Sequence, residues 1–148
     1  MPVAVHRVLL GCLSLTAVFV GGWAYFAPAH FHDYFPGFGM RWLPVFGPFN
    51  EHLVKDVGAM YLGLAVLSVM ALIFVRNRTL VIVAAGAWTM FNLLHLVYHV
   101  QMLHMLGPRD QVVSMVALWG VLLASVGLFI PAWHTSASAD TRIERALK

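Results

Sequence analysis

The chain has 148 residues and a net charge of +3, with 61% hydrophobic and 10% charged residues and a mean hydropathy of +0.82. A soluble domain carries roughly 25% charged residues, so the composition excludes one and makes the lipid bilayer the chain's solvent and first partner. A single cysteine, Cys12, excludes internal disulfides and Cys-pair redox chemistry.

Four stretches lack Asp, Glu, Lys and Arg altogether: Val8 to Ala29, Val57 to Val75, Thr79 to Pro108, and Val112 to Ala139. Each supplies the roughly 20 apolar residues that carry a helix across about 30 Å of hydrocarbon. The expected fold class is therefore all-α, a polytopic membrane protein built as a four-transmembrane-helix bundle. One domain over 1–134 holds spans at about 6–26, 52–75, 79–103 and 111–131, followed by a short cytoplasmic tail at 135–148.

The first span opens on His6 and Arg7 and ends at Ala27-Pro28-Ala29, much as a secretory signal does. Pro28 separates the two small residues, however, and the apolar run continues through Trp23, Tyr25 and Phe26, an interfacial belt. Both features favour a retained helix over a cleaved leader. Cys12 is expected to be a buried, inert thiol, and His6 and His134 to sit at the interface.

Residues 27–51 interleave Pro28, Pro36, Pro44 and Pro48 with Gly37, Gly39 and Gly47, and add seven aromatics including Phe31, Phe35, Trp42 and Phe46. Proline and glycine break regular structure, while aromatics favour the headgroup region. This link is expected to lie along the outer surface, either as a lid over the bundle or as a plain interfacial anchor. Asn50 is a natural N-cap for the second span, and Glu51 an acid in its first turn. Glu51 and Lys55, four apart, read as a surface pair.

Ionisable residues inside apolar helices are the strongest functional signal. His52 and Asp56 are spaced i, i+4 in the second span; Asn92, His95 and His99 form a polar stripe in the third, with His104 beyond it. In a four-span chain both sets fall near the same membrane surface, with His30 and His32 of the link nearby. Ser14, Thr16, Ser68, Ser114 and Ser125, like Gly58, Gly63, Gly86 and Gly120, read as helix-packing residues.

Orientation follows from the basic residues. Arg7, Arg76, Arg78, Arg142, Arg145 and Lys148 share one side, against Arg41, Lys55 and Arg109 on the other. This bias places the chain in the cell membrane with both termini cytoplasmic. It also accounts for the net positive charge without nucleic acid, for which no motif is present.

Three uses fit the polar residues. Neutral imidazoles and a carboxylate make a first shell for a divalent metal, with His52, Asp56, His95 and His99 as ligands and Asn92, His104 and Glu51 as supporting groups. Leu96 follows His95 where a zinc peptidase needs Glu, so that motif is excluded, while Met102 and Met105 admit copper. A haem held between His52 and His95 or His99, or a quinone hydrogen-bonded by His and Asp, is the second use. A proton or ion path through Asp56 and the histidines is the third. Against all three stands a structural role in which an Asp56 to His99 hydrogen bond fastens the second and third spans of an accessory subunit.

The segment Asn50-Glu51-His52-Leu53-Val54-Lys55-Asp56-Val57-Gly58, with His95-Leu96-Val97-Tyr98-His99, resembles a pattern of small uncharacterised four-helix bacterial membrane proteins. In size and layout the chain also resembles the DoxX-like group, although no residue of a DoxX active site is matched. That resemblance implies quinone-dependent redox partners. Apart from it, another membrane subunit or a second copy of the chain is the expected protein neighbour.

Overall fold

The computed structural model describes residues 1–131. The expected tail at 135–148, with Arg142, Arg145 and Lys148, lies outside the described residues, as does His134.

In chain order, α1 (Val3–Phe26) leads into a link made of α2 (Pro28–Tyr34), a two-stranded antiparallel hairpin of β1 (Pro36–Gly37) and β2 (Met40–Arg41), and α3 (Leu43–Phe46). Then come α4 (Glu51–Ile73), α5 (Arg78–Met102) with a 3₁₀ turn at Leu103–Met105, and α6 (Pro108–Gly127). α1, α4, α5 and α6 are long and apolar enough to cross a membrane. The protein is thus an all-α, multi-pass membrane bundle, as composition implied.

Helix ends follow local chemistry. The Asn50 side chain accepts a hydrogen bond from the Leu53 amide at 3.1 Å, capping α4, and Glu51 occupies its first turn. Asn77 caps α5 in the same way from Leu80 at 3.2 Å. α6 begins three residues before the expected 111, because Pro108 occupies the first turn, where a backbone donor has no helical partner. It ends at Gly127 rather than 131. Beyond that end the Arg78 guanidinium donates to the carbonyls of Leu128, at 3.1 Å, and Phe129, satisfying acceptors that a helix end leaves open.

The bundle is organised around the α1–α4 seam, with α5 on α4 and α6 on α5. His6, Leu10, Leu13, Ala17, Gly21 and Ala24 make the buried stripe of α1, and Gly58, Tyr61, Ala65 and Ser68 that of α4. Steps of three and four keep each set on one helical face. Without hydrophobic drive in lipid, close approach of small residues supplies the packing. A Cβ on Gly58 would lie 2.6 Å from the Tyr25 amide nitrogen, and one on Gly21 would lie 2.9 Å from the Leu62 nitrogen. By contrast, Gly63, Gly86 and Gly120, expected as packing residues, have nothing within 4 Å of such a Cβ. Ser68 does pack: it accepts from Trp88 Nε1 at 2.6 Å, tying α4 to α5 in the bundle centre.

The two ends of the described chain meet. The amino group of Met1 donates to the Pro131 carbonyl at 2.7 Å, so α1 starts and α6 finishes at the same end, opposite the link. Cys12 is exposed on the outside of α1, which corrects the expectation of a buried thiol: it lies off the stripe that runs through Leu10 and Leu13.

Candidate functional site

The link folds back over α1, α4 and α5. Trp23 of α1 meets Phe31 edge-on at 5.7 Å, Phe31 meets Phe35 at 4.7 Å, and Phe35 meets Trp42 at 6.0 Å. Phe31 and Trp42 are buried, so much of the aromatic content is spent in packing, whereas Phe38 at the hairpin tip stands 90% exposed. Gly37 and Gly39 flank that tip with φ of 96° and 79°, conformations that side chains disfavour.

Under this cover lies a cavity of about 330 Å³. Its walls are mostly apolar, from Val20 of α1, Phe31, Phe35, Trp42, Leu43 and Phe46 of the link, and Leu53, Val54, Val57 and Tyr61 of α4. Polar groups enter from His32 and Asn50 of the link and from His95, Tyr98 and His99 of α5. The α5 histidines are contiguous: His95 stacks on Phe91 at 5.2 Å and meets His99 at 4.4 Å, and Phe46 of α3 closes edge-on over His99 at 5.3 Å.

Two residues of this lining carry an unusual ring nitrogen. Trp42 Nε1 and His99 Nδ1 are buried and have no hydrogen-bond partner among the described residues. Leaving a buried polar group unpaired costs about 1–3 kcal/mol, and native proteins rarely do so without a reason. The indole nitrogen is always a donor, and one imidazole nitrogen is a donor in either tautomer.

His52 and Asp56 are not part of this cavity. They pair with each other at 3.2 Å, their side chains 88% and 63% exposed, on the outside of α4. The expected four-residue pocket is corrected accordingly. The i, i+4 spacing put His52 and Asp56 on one face, but the small-residue stripe from Gly58 through Ala65 fixes which face of α4 turns inward. Continued towards the helix start, that stripe reaches Val57 and Val54, leaving His52 and Asp56 on the far side. An Asp56 to His99 fastener is not formed either, since the Asp56 carboxylate is turned to His52.

The metal set fails on the same geometry. Among the described residues no group of three or more His, Cys, Asp or Glu side chains converges as a metal site, and His95 with His99 falls short of the usual donor number. The haem bracket of one imidazole from each span loses its second imidazole with His52 outside. Lys55 and Glu51 form the expected exposed pair at 2.9 Å, and Glu51 supports no site. His104 is exposed at the end of α5, bonded to the Gln101 carbonyl at 3.1 Å.

Asn92 takes a third course. It is buried and donates to the Val121 carbonyl at 3.2 Å and to Ser125 Oγ at 3.5 Å, fastening α5 to α6. The polar stripe of the third span thus splits by level: α6 faces Asn92, and the link faces His99.

Of the link histidines, His32 joins the wall while bonded to Asp33 at 3.2 Å and to the Gly47 carbonyl at 3.2 Å. His30 instead accepts from Trp23 Nε1 at 2.9 Å. Tyr61, Tyr98 and Trp42 were not singled out as site residues from the sequence. For Tyr61 the signal was present, since it is the one large polar-tipped residue in the small-residue stripe of α4.

No protein-family model, curated protein or solved structure matches the chain.

Proposed function

We propose that this multi-pass membrane protein binds an apolar ligand with a hydrogen-bond-accepting ring, of the quinone class, in the cavity beneath the link. The observation that carries the reading is the pair of buried, unpartnered nitrogens, Trp42 Nε1 and His99 Nδ1, on residues of a mostly apolar wall. Carbonyl oxygens on a flat ring would accept from Trp42 Nε1 and, in its Nδ1–H tautomer, from His99. The aromatic faces of Phe31, Phe35 and Phe46 suit the ring itself, and about 330 Å³ falls in the size range of small-ligand sites. A divalent metal is less well supported, because the donor set stops at two adjacent imidazoles.

The test is titration of the purified full chain in mild detergent with decylubiquinone, alongside an alkylbenzene that lacks the ring carbonyls. Saturable quinone binding, weakened about tenfold in His99→Leu and in Trp42→Phe, is expected from the loss of one buried hydrogen bond each. Equal affinity for the carbonyl-free analogue would overturn the reading.

The same reading orients the chain with both termini cytoplasmic. Arg7, Arg76, Arg78 and the basic residues of the tail support this, by the usual bias of such residues towards the cytoplasm. A fluorescent protein fused at the carboxyl terminus is then bright in cells, whereas a periplasmic reporter at the same place stays inactive; the reverse pattern contradicts the orientation.

A further inference from the structure

At the end of the bundle opposite the link there is a second cavity, of about 320 Å³, bordered by Val3 and His6 of α1, Arg76 of the α4–α5 turn, Arg78 at the start of α5, and Pro131. We propose that it is a phosphate-binding site, taking the phosphate of a phospholipid headgroup or free phosphate. The sequence offered His6 as an interfacial residue; the structure adds that it is packed inside the bundle. His6 lies on the buried stripe of α1, four residues before Leu10, and is 1% exposed. Both of its ring nitrogens are buried with no hydrogen-bond partner among the described residues.

One of those nitrogens carries a proton in either tautomer, so a desolvated donor with no partner among the described residues stands at the border of the cavity. Around it every described charge is positive. Arg76 and Arg78 line the same cavity, and the Met1 amino group lies at the same end, bonded to Pro131. The described carboxylates, Asp33, Glu51, Asp56 and Asp110, all lie in the link or at the link ends of α4 and α6. Arg78 spends part of its guanidinium on the Leu128 and Phe129 carbonyls, which fixes its position and leaves further N–H groups for an anion. Arg76 has no hydrogen bond or ion pair among the described residues. Guanidinium groups with an imidazole donor favour a multidentate oxyanion such as phosphate. The site lies at the end of the membrane-crossing helices, the level at which basic pockets meet phospholipid headgroups. Val3, Val75 and Val81 give it an apolar inner border.

The experiment uses the delipidated full chain in detergent and follows binding of three probes: dihexanoylphosphatidylglycerol, inorganic phosphate, and the neutral dihexanoylglycerol. The phospholipid is expected to bind at least tenfold more tightly than the neutral glyceride. Its affinity should fall on the order of tenfold in Arg76→Gln, an exposed position whose change leaves the fold intact, and in His6→Phe, with recovery in His6→Gln, which restores an N–H donor. Competition by inorganic phosphate identifies free phosphate as a sufficient ligand; binding of the phospholipid without such competition identifies the headgroup. Equal binding of the neutral glyceride, failure of both phosphate probes to bind, or an Arg76→Gln protein that binds like the wild type would overturn the proposal.

Discussion

The two ends of this bundle enclose cavities of nearly equal volume, about 330 and 320 Å³, and opposite character. Beneath the link, aromatic and aliphatic walls surround a few polar groups, while Asp56 is paired with His52 and Lys55 with Glu51 on the outside. At the other end, two guanidinium groups and a buried imidazole face a cavity without a described carboxylate. Size therefore says little about the ligand. The number of unpaired donors and the absence or presence of neighbouring charge separate a site for a neutral ring from one for an anion.

What the two ends share is the α1–α4 seam, and breaking it is the largest perturbation available. Gly58→Val places a side chain against the Tyr25 backbone and should destabilise the bundle by about 3 kcal/mol or more, with both cavities lost together. Thermal unfolding in detergent reads this, with Gly63→Ala as the control that does not destabilise, because its Cβ meets no neighbour. A Gly58→Val protein as stable as the wild type would show that the seam is looser than its geometry.

A smaller effect separates fastening from binding along α5. Asn92→Leu removes the hydrogen bonds to α6 and should lower stability by about 1 kcal/mol while leaving decylubiquinone affinity unchanged. His99→Leu should do the reverse, because its Nδ1 has no partner to lose. The paired measurements of melting temperature and affinity would merge the two roles if both variants lost both properties. The smallest effect is expected at the first candidates of the sequence. His52→Ala and Asp56→Asn should each shift stability by no more than about 0.5 kcal/mol and leave quinone affinity untouched, as an exposed ion pair allows. A tenfold loss of quinone affinity in either would return them to the site.

These contrasts also mark what the amino-acid order makes legible. The four spans are readable because bilayer thickness imposes a length and an apolarity that few other structures need. The Asn50 cap is readable because its chemistry is local. His95 and His99 are legible as polar positions, since ionisable groups on an apolar helix stand out by themselves, and both line the cavity beneath the link. The direction of His52 and Asp56 was not, because a membrane helix is apolar on both its lipid and its protein side, so the usual hydrophobic face does not mark the inside. The small-residue stripe through Gly58 and Ala65 carried that information, and so did the steps from His6 to Leu10, Leu13 and Ala17 for the burial of His6. Tyr98 and Trp42 joined the cavity wall through the fold of the link over α5, a tertiary event that no local spacing encodes.

The most direct measurement of the central claim is photolabelling of the full chain with an azido-substituted quinone, followed by peptide mapping. Adducts confined to the link around Phe31 to Phe46 and to His95 to His99, and abolished by excess decylubiquinone, are the predicted result. Adducts spread over the exposed face of α6, around Val116, Trp119 and Leu123, and indifferent to competitor would mean partition into lipid-facing surface and would contradict a quinone-class site beneath the link.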